Sequence, residues 1–228
     1  MIDGLSCLAL ITARGGSKGL PGKNVRPVNG RPLIDFTVSV ARAARCVDRV
    51  VLSTDDLTIA AIAAAGGCDV PFIRPSALAD DTACTIDVVL HAMDQLPPFD
   101  VVVLLQPTSP ARSVDDIEAC CRRVGQGAPA CVSVMLAEQS PYWMMRLGVE
   151  DRLQPLLPLP AATRRQDLPP VYVLNGAVYA ARASFLRQHK SFTAEGAVGY
   201  IMPSDRSIDI DTIEDFERFV RLTSGEHR

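Results

Sequence analysis

The sequence predicts an α/β fold, a mostly parallel sheet sandwiched by helices. Three observations predict it. Short continuous apolar runs, of the kind found in strands covered on both faces, alternate with segments of helical period. The alternation reads βαβα along most of the 228 residues, which implies crossover connections between parallel neighbours. At 48% hydrophobic and 21% charged, the chain has the composition of a protein with a sizeable buried core.

The elements follow in order. Residues 8–12 are the first apolar run and the first strand. Leu33, Phe36, Val40 and Ala44 then recur at helical spacing. Residues 49–53 form the next strand, and 57–65 an alanine-rich helix closed by Gly66-Gly67. Ile86, Val89, Leu90 and Met93 mark a helix that Pro97-Pro98 stops. Residues 101–105 are the clearest strand, five apolar residues without interruption. Ser113 with Asp116 three residues on is a capping-box pattern, and Ile117, Cys120, Cys121 and Val124 form the stripe behind it. Residues 130–135 are a further strand. Thr212 and Asp215 repeat the capping pattern before Ile213, Phe216, Phe219 and Val220. Residues 138–170 break the rhythm, with six prolines and the pair Tyr142-Trp143. They suit extended chain and turns better than a core unit. The segment reads either as a long surface loop or as an arm that docks on a partner subunit, and Trp143, Met144 and Met145, which need a surface to bury against, favour the arm. The organisation is therefore an α/β domain from 1–137 and 171–228, with the arm 138–170 inserted.

A net charge of −3 argues against a nucleic-acid polymer or an anionic membrane as partner, since both call for a basic excess. The first apolar run is too short for a signal sequence or a span. Seven cysteines occur without a Cys-x-x-Cys pair, and read as reduced thiols of a cytoplasmic protein. The three histidines are scattered; His91 lies on an apolar helix face and reads as packed core. The charge is unevenly spread. Residues 4–34 hold Arg14, Lys18, Lys23, Arg26 and Arg31 and no acid, leaving −8 for the rest.

Three of those cations, with four glycines, follow directly on the first strand, in Ala13-Arg14-Gly15-Gly16-Ser17-Lys18-Gly19-Leu20-Pro21-Gly22-Lys23-Asn24. Glycines let backbone N–H groups converge on an anion, and cations neutralise phosphates. The P-loop pattern fails at both ends, at Ser17 and Asn24. The dinucleotide fingerprint fails for want of Gly-x-Gly. Gly15-Gly16-Ser17-Lys18-Gly19 fits the nucleophile elbow, but Pro21, Gly22 and Pro27 follow where a helix should begin.

The loop resembles the signature of the acylneuraminate cytidylyltransferases, the CMP-sialic acid or CMP-nonulosonate synthetases. Further landmarks come in the same order: Ser53-Thr54-Asp55-Asp56, Arg74-Pro75, Leu104-Leu105-Gln106-Pro107-Thr108-Ser109-Pro110, Arg165-Gln166-Asp167-Leu168-Pro169, Asn175-Gly176-Ala177-Val178-Tyr179 and Asp209-Ile210-Asp211-Thr212. The likeness spans about residues 5–222, with Thr12 departing from the family's proline. It implies a sandwich of the nucleotide-diphosphosugar transferase type with a small dimerisation arm. It also implies a nucleotidyltransferase that joins CTP and a nonulosonic acid into a CMP-sugar and pyrophosphate. Alternatives are a 3-deoxy-manno-octulosonate cytidylyltransferase and a sugar-1-phosphate nucleotidyltransferase.

The resemblance assigns roles. Arg14, Lys23 and Asp211 are the expected catalytic residues. Ala13, Gly15, Gly16, Ser17, Lys18, Asn24, Arg74 and Thr82 would bind the nucleotide. Gln106, Arg165, Asn175 and Tyr179 would contact the sugar, with Arg165 or its neighbour Arg164 facing the acid's carboxylate. In this family the arm of one subunit closes the other's sugar site, which implies a homodimer. Asp209 and Asp211 are also placed by their own spacing. At i, i+2 in extended chain both carboxylates face one side and repel unless a cation lies between them. That points to Mg²⁺, or Mn²⁺, and the family holds its metal there.

Overall fold

The structure, a computed structural model, describes residues 2–16, 19–158 and 164–225. Its centre is a six-stranded sheet. In chain order the strands of the molecule are β1 (Cys7–Thr12), β2 (Pro27–Val28), β3 (Arg31–Pro32), β4 (Arg49–Ser53), β5 (Val101–Leu105), β6 (Ala130–Leu136), β7 (Met145–Leu147), β8 (Leu153–Pro155), β9 (Tyr172–Arg182) and β10 (Val198–Ile201). The large sheet runs β10-β6-β9-β5-β1-β4. β4, β1 and β5 are parallel neighbours, as are β6 and β10. β9 is antiparallel to both β5 and β6 and lies between them. The sheet is thus mostly parallel, as the sequence reading expected, with one reversed strand, β9, in its interior.

The described residues form six α-helices, α1 (Leu33–Ala43), α2 (Leu57–Ala65), α3 (Thr85–Gln95), α4 (Val114–Gly125), α5 (Ala183–His189) and α6 (Ile213–Thr223), of which the first five cover the sheet. Strand alternation divides the core between two faces. Cys7, Ala9 and Ile11 of β1 pack with α1, α2 and α4, while Leu8 and Leu10 pack with α3 and α5. Both faces are dry, so β5 is apolar at every position and β1 at all but its last, Thr12. The buried stripe of α1 is Leu33, Ile34, Thr37, Val38 and Ala41, one position away from the expected Phe36 and Val40. A third cluster joins Leu20, Val28 and Ile210 to Phe216 and Phe219 of α6. Ile213 is exposed at the first position of that helix.

Both capping boxes form, Ser113 with Asp116 and Thr212 with Asp215. Asp116 does more than cap. Its buried carboxylate accepts two hydrogen bonds from Arg206, each 3.0 Å, and one from Tyr200 at 3.0 Å. Burial alone would raise its pKa; the Arg206 fork and the Ser113 donors outweigh burial and hold it below the ordinary value. Removing one partner of such a pair strands a buried charge. Arg206→Ala is therefore expected to cost about 3 kcal/mol at neutral pH, measured by denaturant unfolding. A depressed carboxylate pKa stabilises above its ordinary value of 3.8 and ceases to as pH falls through the folded value. The penalty of Arg206→Ala should accordingly shrink in acid; a pH-independent penalty would contradict the assignment.

The described residues between β6 and β9 add no strand to the large sheet. They carry the small ladder of β7 and β8, and Trp143, Met144, Met145, Leu147, Val149 and Leu153 are all exposed on it within the single chain. All seven cysteines are free, six of them buried. His91 packs edge-on against Phe72, 5.4 Å between ring centres. No helix among the described residues is long and apolar enough to cross a membrane.

Candidate active site

Parallel strands put their carboxyl ends on one edge, and that edge is where open α/β sheets hold ligands. Here the segments that leave β1, β4 and β5 converge on a cleft of about 490 Å³. Arg14, Lys23, Asn24, Arg74, Gln106 and the Asp209–Asp211 pair all line it. The strand order separates its two sides. The glycine loop and Arg74 follow β1 and β4, and Gln106 follows β5, next to β9.

The cations are held by acids and carbonyls of the protein itself. Arg14 pairs with Asp81 at 2.8 Å across the cleft. Arg74 is buried, donates to the Ala13 carbonyl at 2.8 Å, and lies 3.5 Å from Asp55. Burial lowers its pKa and Asp55 opposes the shift. Asp55 also accepts from the Gly15 N–H at 3.2 Å, so one carboxylate ties the glycine loop to Arg74. Asn24 is buried beneath the loop, donating to the Arg14 carbonyl at 3.1 Å, with its own Oδ1 buried and unpartnered. Ala13 is buried and Gly16 exposed. Ser17 and Lys18 lie outside the described residues.

Lys23 joins the loop to the acidic pair. Its ammonium donates to the Ile210 carbonyl at 2.6 Å and to Asp211 at 3.0 Å. Gly19 makes this approach possible, because a Cβ there would stand 2.5 Å from the Asp211 carbonyl oxygen. Ile210 is fully buried and its N–H donates to the Thr108 carbonyl at 2.7 Å. With Ile210 turned inward, Asp209 and Asp211 both face the cleft. Crowding in the cleft raises the Asp209 pKa, Asp211 adds to the shift, and Thr108 and Lys23 oppose it. This donor set fits a small hard cation, which takes one or two protein carboxylates and completes its shell from phosphate and water.

The expected sugar contacts are distributed less evenly. Gln106 lines the cleft. Tyr179 is half-buried against Phe192, 5.7 Å between ring centres, and burial with nearby Asp209 raises its pKa. The Asn175 side chain is turned into the interior, accepting from Ser133 at 2.6 Å and donating to Ser207 at 2.9 Å. Arg165 begins a short turn, with its side chain outside the described residues. Thr82 is exposed and bonds Asp80 at 2.8 Å, while its neighbours Asp81 and Ala83 line the cleft. Asp55, Asp81, Thr108 and Arg112 were given no role from sequence. Asp55 and Thr108 stand inside quoted motifs; Asp81 and Arg112 act across 67 and 75 residues, beyond the reach of any local pattern.

Residues 8–140 match the family described as cytidylyltransferase. The chain belongs to that family. It is 37% identical over 217 residues to the CMP-N,N'-diacetyllegionaminic acid synthase of Legionella pneumophila, covering 90% of each chain. It is 31% identical to the pseudaminic acid cytidylyltransferase of Campylobacter jejuni, covering 92% of this chain and 93% of that one. The N-acylneuraminate cytidylyltransferase of Escherichia coli is 30% identical over 97% of this chain, which spans 53% of that longer protein. Among solved structures, a CMP:2-keto-3-deoxy-manno-octonic acid synthetase complexed with CTP superposes with a TM-score of 0.71 at 18% identity, covering 97% of this chain and 100% of that one. That likeness establishes the nucleotidyltransferase fold.

Proposed function

We propose that this cytidylyltransferase activates a nonulosonic acid with CTP, giving the CMP-sugar and pyrophosphate. The observation that carries the reading is the 37% identity to the legionaminate enzyme over 90% of both chains. The cleft supports it chemically. In the reaction the anomeric hydroxyl oxygen bonds to the α-phosphorus as the bond to the β-phosphate oxygen breaks, and the hydroxyl gives up its proton. Little of this is covalent work for the protein; positioning and charge stabilisation carry the rate. Arg14 and Lys23 are the cations for the triphosphate, with Arg74 and Asn24 on the nucleoside side. Binding of the triphosphate then exchanges the contacts of Arg14 with Asp81 for phosphate oxygens. The acceptor takes the remaining side of the cleft, over β5 and β9, near Gln106 and Tyr179.

Asp209 and Asp211 are the residues that would hold Mg²⁺ or Mn²⁺. Such an ion neutralises phosphate oxygens and lowers the pKa of an attacking hydroxyl. Seven free thiols support a reducing, cytoplasmic setting. The exposed apolar side chains of 143–153 support a homodimer through the arm. Sedimentation should give twice the chain mass; a fully active monomer would refute the dimer.

Pyrophosphate release with CTP, Mg²⁺ and a panel of acids tests the function. Legionaminic, N-acetylneuraminic and pseudaminic acids form the first arm, with release expected from at least one. Release only with 3-deoxy-manno-octulosonate or with a sugar 1-phosphate would overturn the reading.

A further inference from the structure

Arg112 lies beneath the cleft and takes no part in lining it. Its side chain is 2% exposed, and it forms no ion pair among the described residues. Burying a guanidinium costs several kcal/mol unless its donors and its charge are met. Here Nη1 donates to Thr37 Oγ1 at 2.8 Å, Nη2 donates to the Gln106 carbonyl, and Nε is buried without a partner. Asp209 and Asp116 act on it only at longer range. A fold that needed merely to fill this space would do so more cheaply with an apolar side chain.

What the fork holds explains its presence. The Gln106 carbonyl also accepts from the Ser109 N–H at 3.2 Å, closing a tight turn over 106–109. That turn carries three contacts into the site. Gln106 and Thr108 line the cleft beside Asp209, and the Thr108 carbonyl accepts from the Ile210 N–H at 2.7 Å. Ser109 Oγ donates to the Asn175 carbonyl at 3.2 Å. Below it, Gly176 adopts φ +72°, and a Cβ there would stand 2.8 Å from Ser109 Oγ and 3.0 Å from Gln106 Oε1. Arg112 itself is anchored, since Ser113 beside it is the cap of α4. Thr37, the other end of the fork, is a fully buried polar residue on α1.

We propose that Arg112 is a positioning residue for the acceptor. It locks the 106–109 turn so that Gln106, over β5 and β9, stays in register with the cationic loop over β1 and β4. The inference rests on the function proposed above, in which that side of the cleft receives the sugar acid. Misplacing the turn by a fraction of an ångström should then harm the acceptor step and spare CTP.

The test uses Arg112→Lys, which keeps the charge and loses the fork, Arg112→Met, and Thr37→Val. Pyrophosphate release is followed with acceptor and CTP varied separately, beside calorimetric CTP binding and Tm. Both Arg112 variants should lose on the order of 10–100-fold in acceptor kcat/KM, with Lys the milder, while CTP affinity is unchanged. Thr37→Val should move the same parameter in the same direction by less. A fall in Tm with normal acceptor kinetics, or equal losses toward CTP and acceptor, would make Arg112 a structural tie and overturn the proposal. Should the Arg112 variants not fold, normal acceptor kinetics in Thr37→Val would overturn it. A wild-type enzyme silent with every nonulosonic acid overturns the function and this proposal together. An active wild type with variants unaffected toward the acceptor overturns the proposal alone.

Discussion

Replacing Lys23 by Met is expected to slow turnover on the order of 10²–10³-fold while CTP still binds. Met keeps most of the apolar stem and removes the ammonium, with its charge and its donors to Ile210 and Asp211. The position of that charge is fixed before any ligand arrives: the side chain is 12% exposed and its ammonium is pinned by the Ile210 carbonyl and Asp211. A preset cation is worth most where charge grows during the reaction, here on the departing pyrophosphate, because nothing need reorganise at that moment. In the proposed arrangement Arg14 remains for the triphosphate and Arg74 for the nucleoside side, so ground-state CTP is still held. Lys23→Arg should not rescue, since a longer planar fork does not reproduce the ammonium's compact contacts with the Ile210 carbonyl and Asp211. Single-turnover pyrophosphate release beside CTP calorimetry checks this. A defect confined to sugar affinity would contradict it.

The sequence made legible what is local. β1, β4 and β5 stand out because strands dry on both faces need an apolar residue at every position, and the two capping boxes because three residues suffice to write one. β9 did not stand out. It carries Asn175-Gly176 in its middle, changes from exposed to buried along its length, and is defined by pairing with 101–105 and 130–136. One available signal was passed over. Asn29-Gly30, with φ 50° and 83°, turns the hairpin of β2 and β3, and Asn-Gly is the usual mark of such a turn. The site divides in the same way. The glycine loop was readable because it leaves a strand directly. Arg112 was not, because a buried arginine and an exposed one look alike until α1 and β5 close around it. The Asn175 motif was located, but only the structure turns its side chain toward Ser133 and Ser207.

Asp211→Ala should abolish turnover, a loss of at least about 10³-fold, and leave the fold intact. The side chain is 74% exposed, and its residue's N–H keeps its bond to Asp215 whatever the side chain. Stability therefore has little to lose. Two readings of Asp211 compete, and they differ in what they put at risk. As one of the pair that would hold Mg²⁺, it matters to rate and to metal demand. As a charge near the start of α6, it matters to stability alone, by about 0.3–1 kcal/mol. The burial of Ile210 favours the first, since it turns Asp209 and Asp211 to the same cleft, where Lys23 meets only one of them closely. Lys23 is the cation in direct contact with the pair and leaves it one positive charge short at close range; under the metal reading a divalent ion would make up the difference. Titrating Mg²⁺ into pyrophosphate release for the wild type, Asp211→Ala and Asp211→Glu separates the two. Under the metal reading, Glu retains part of the rate at a higher Mg²⁺ midpoint and Ala retains none. Wild-type turnover in Asp211→Ala, with a lower Tm as its only defect, would leave Asp211 a helix-end charge and remove it from the metal site.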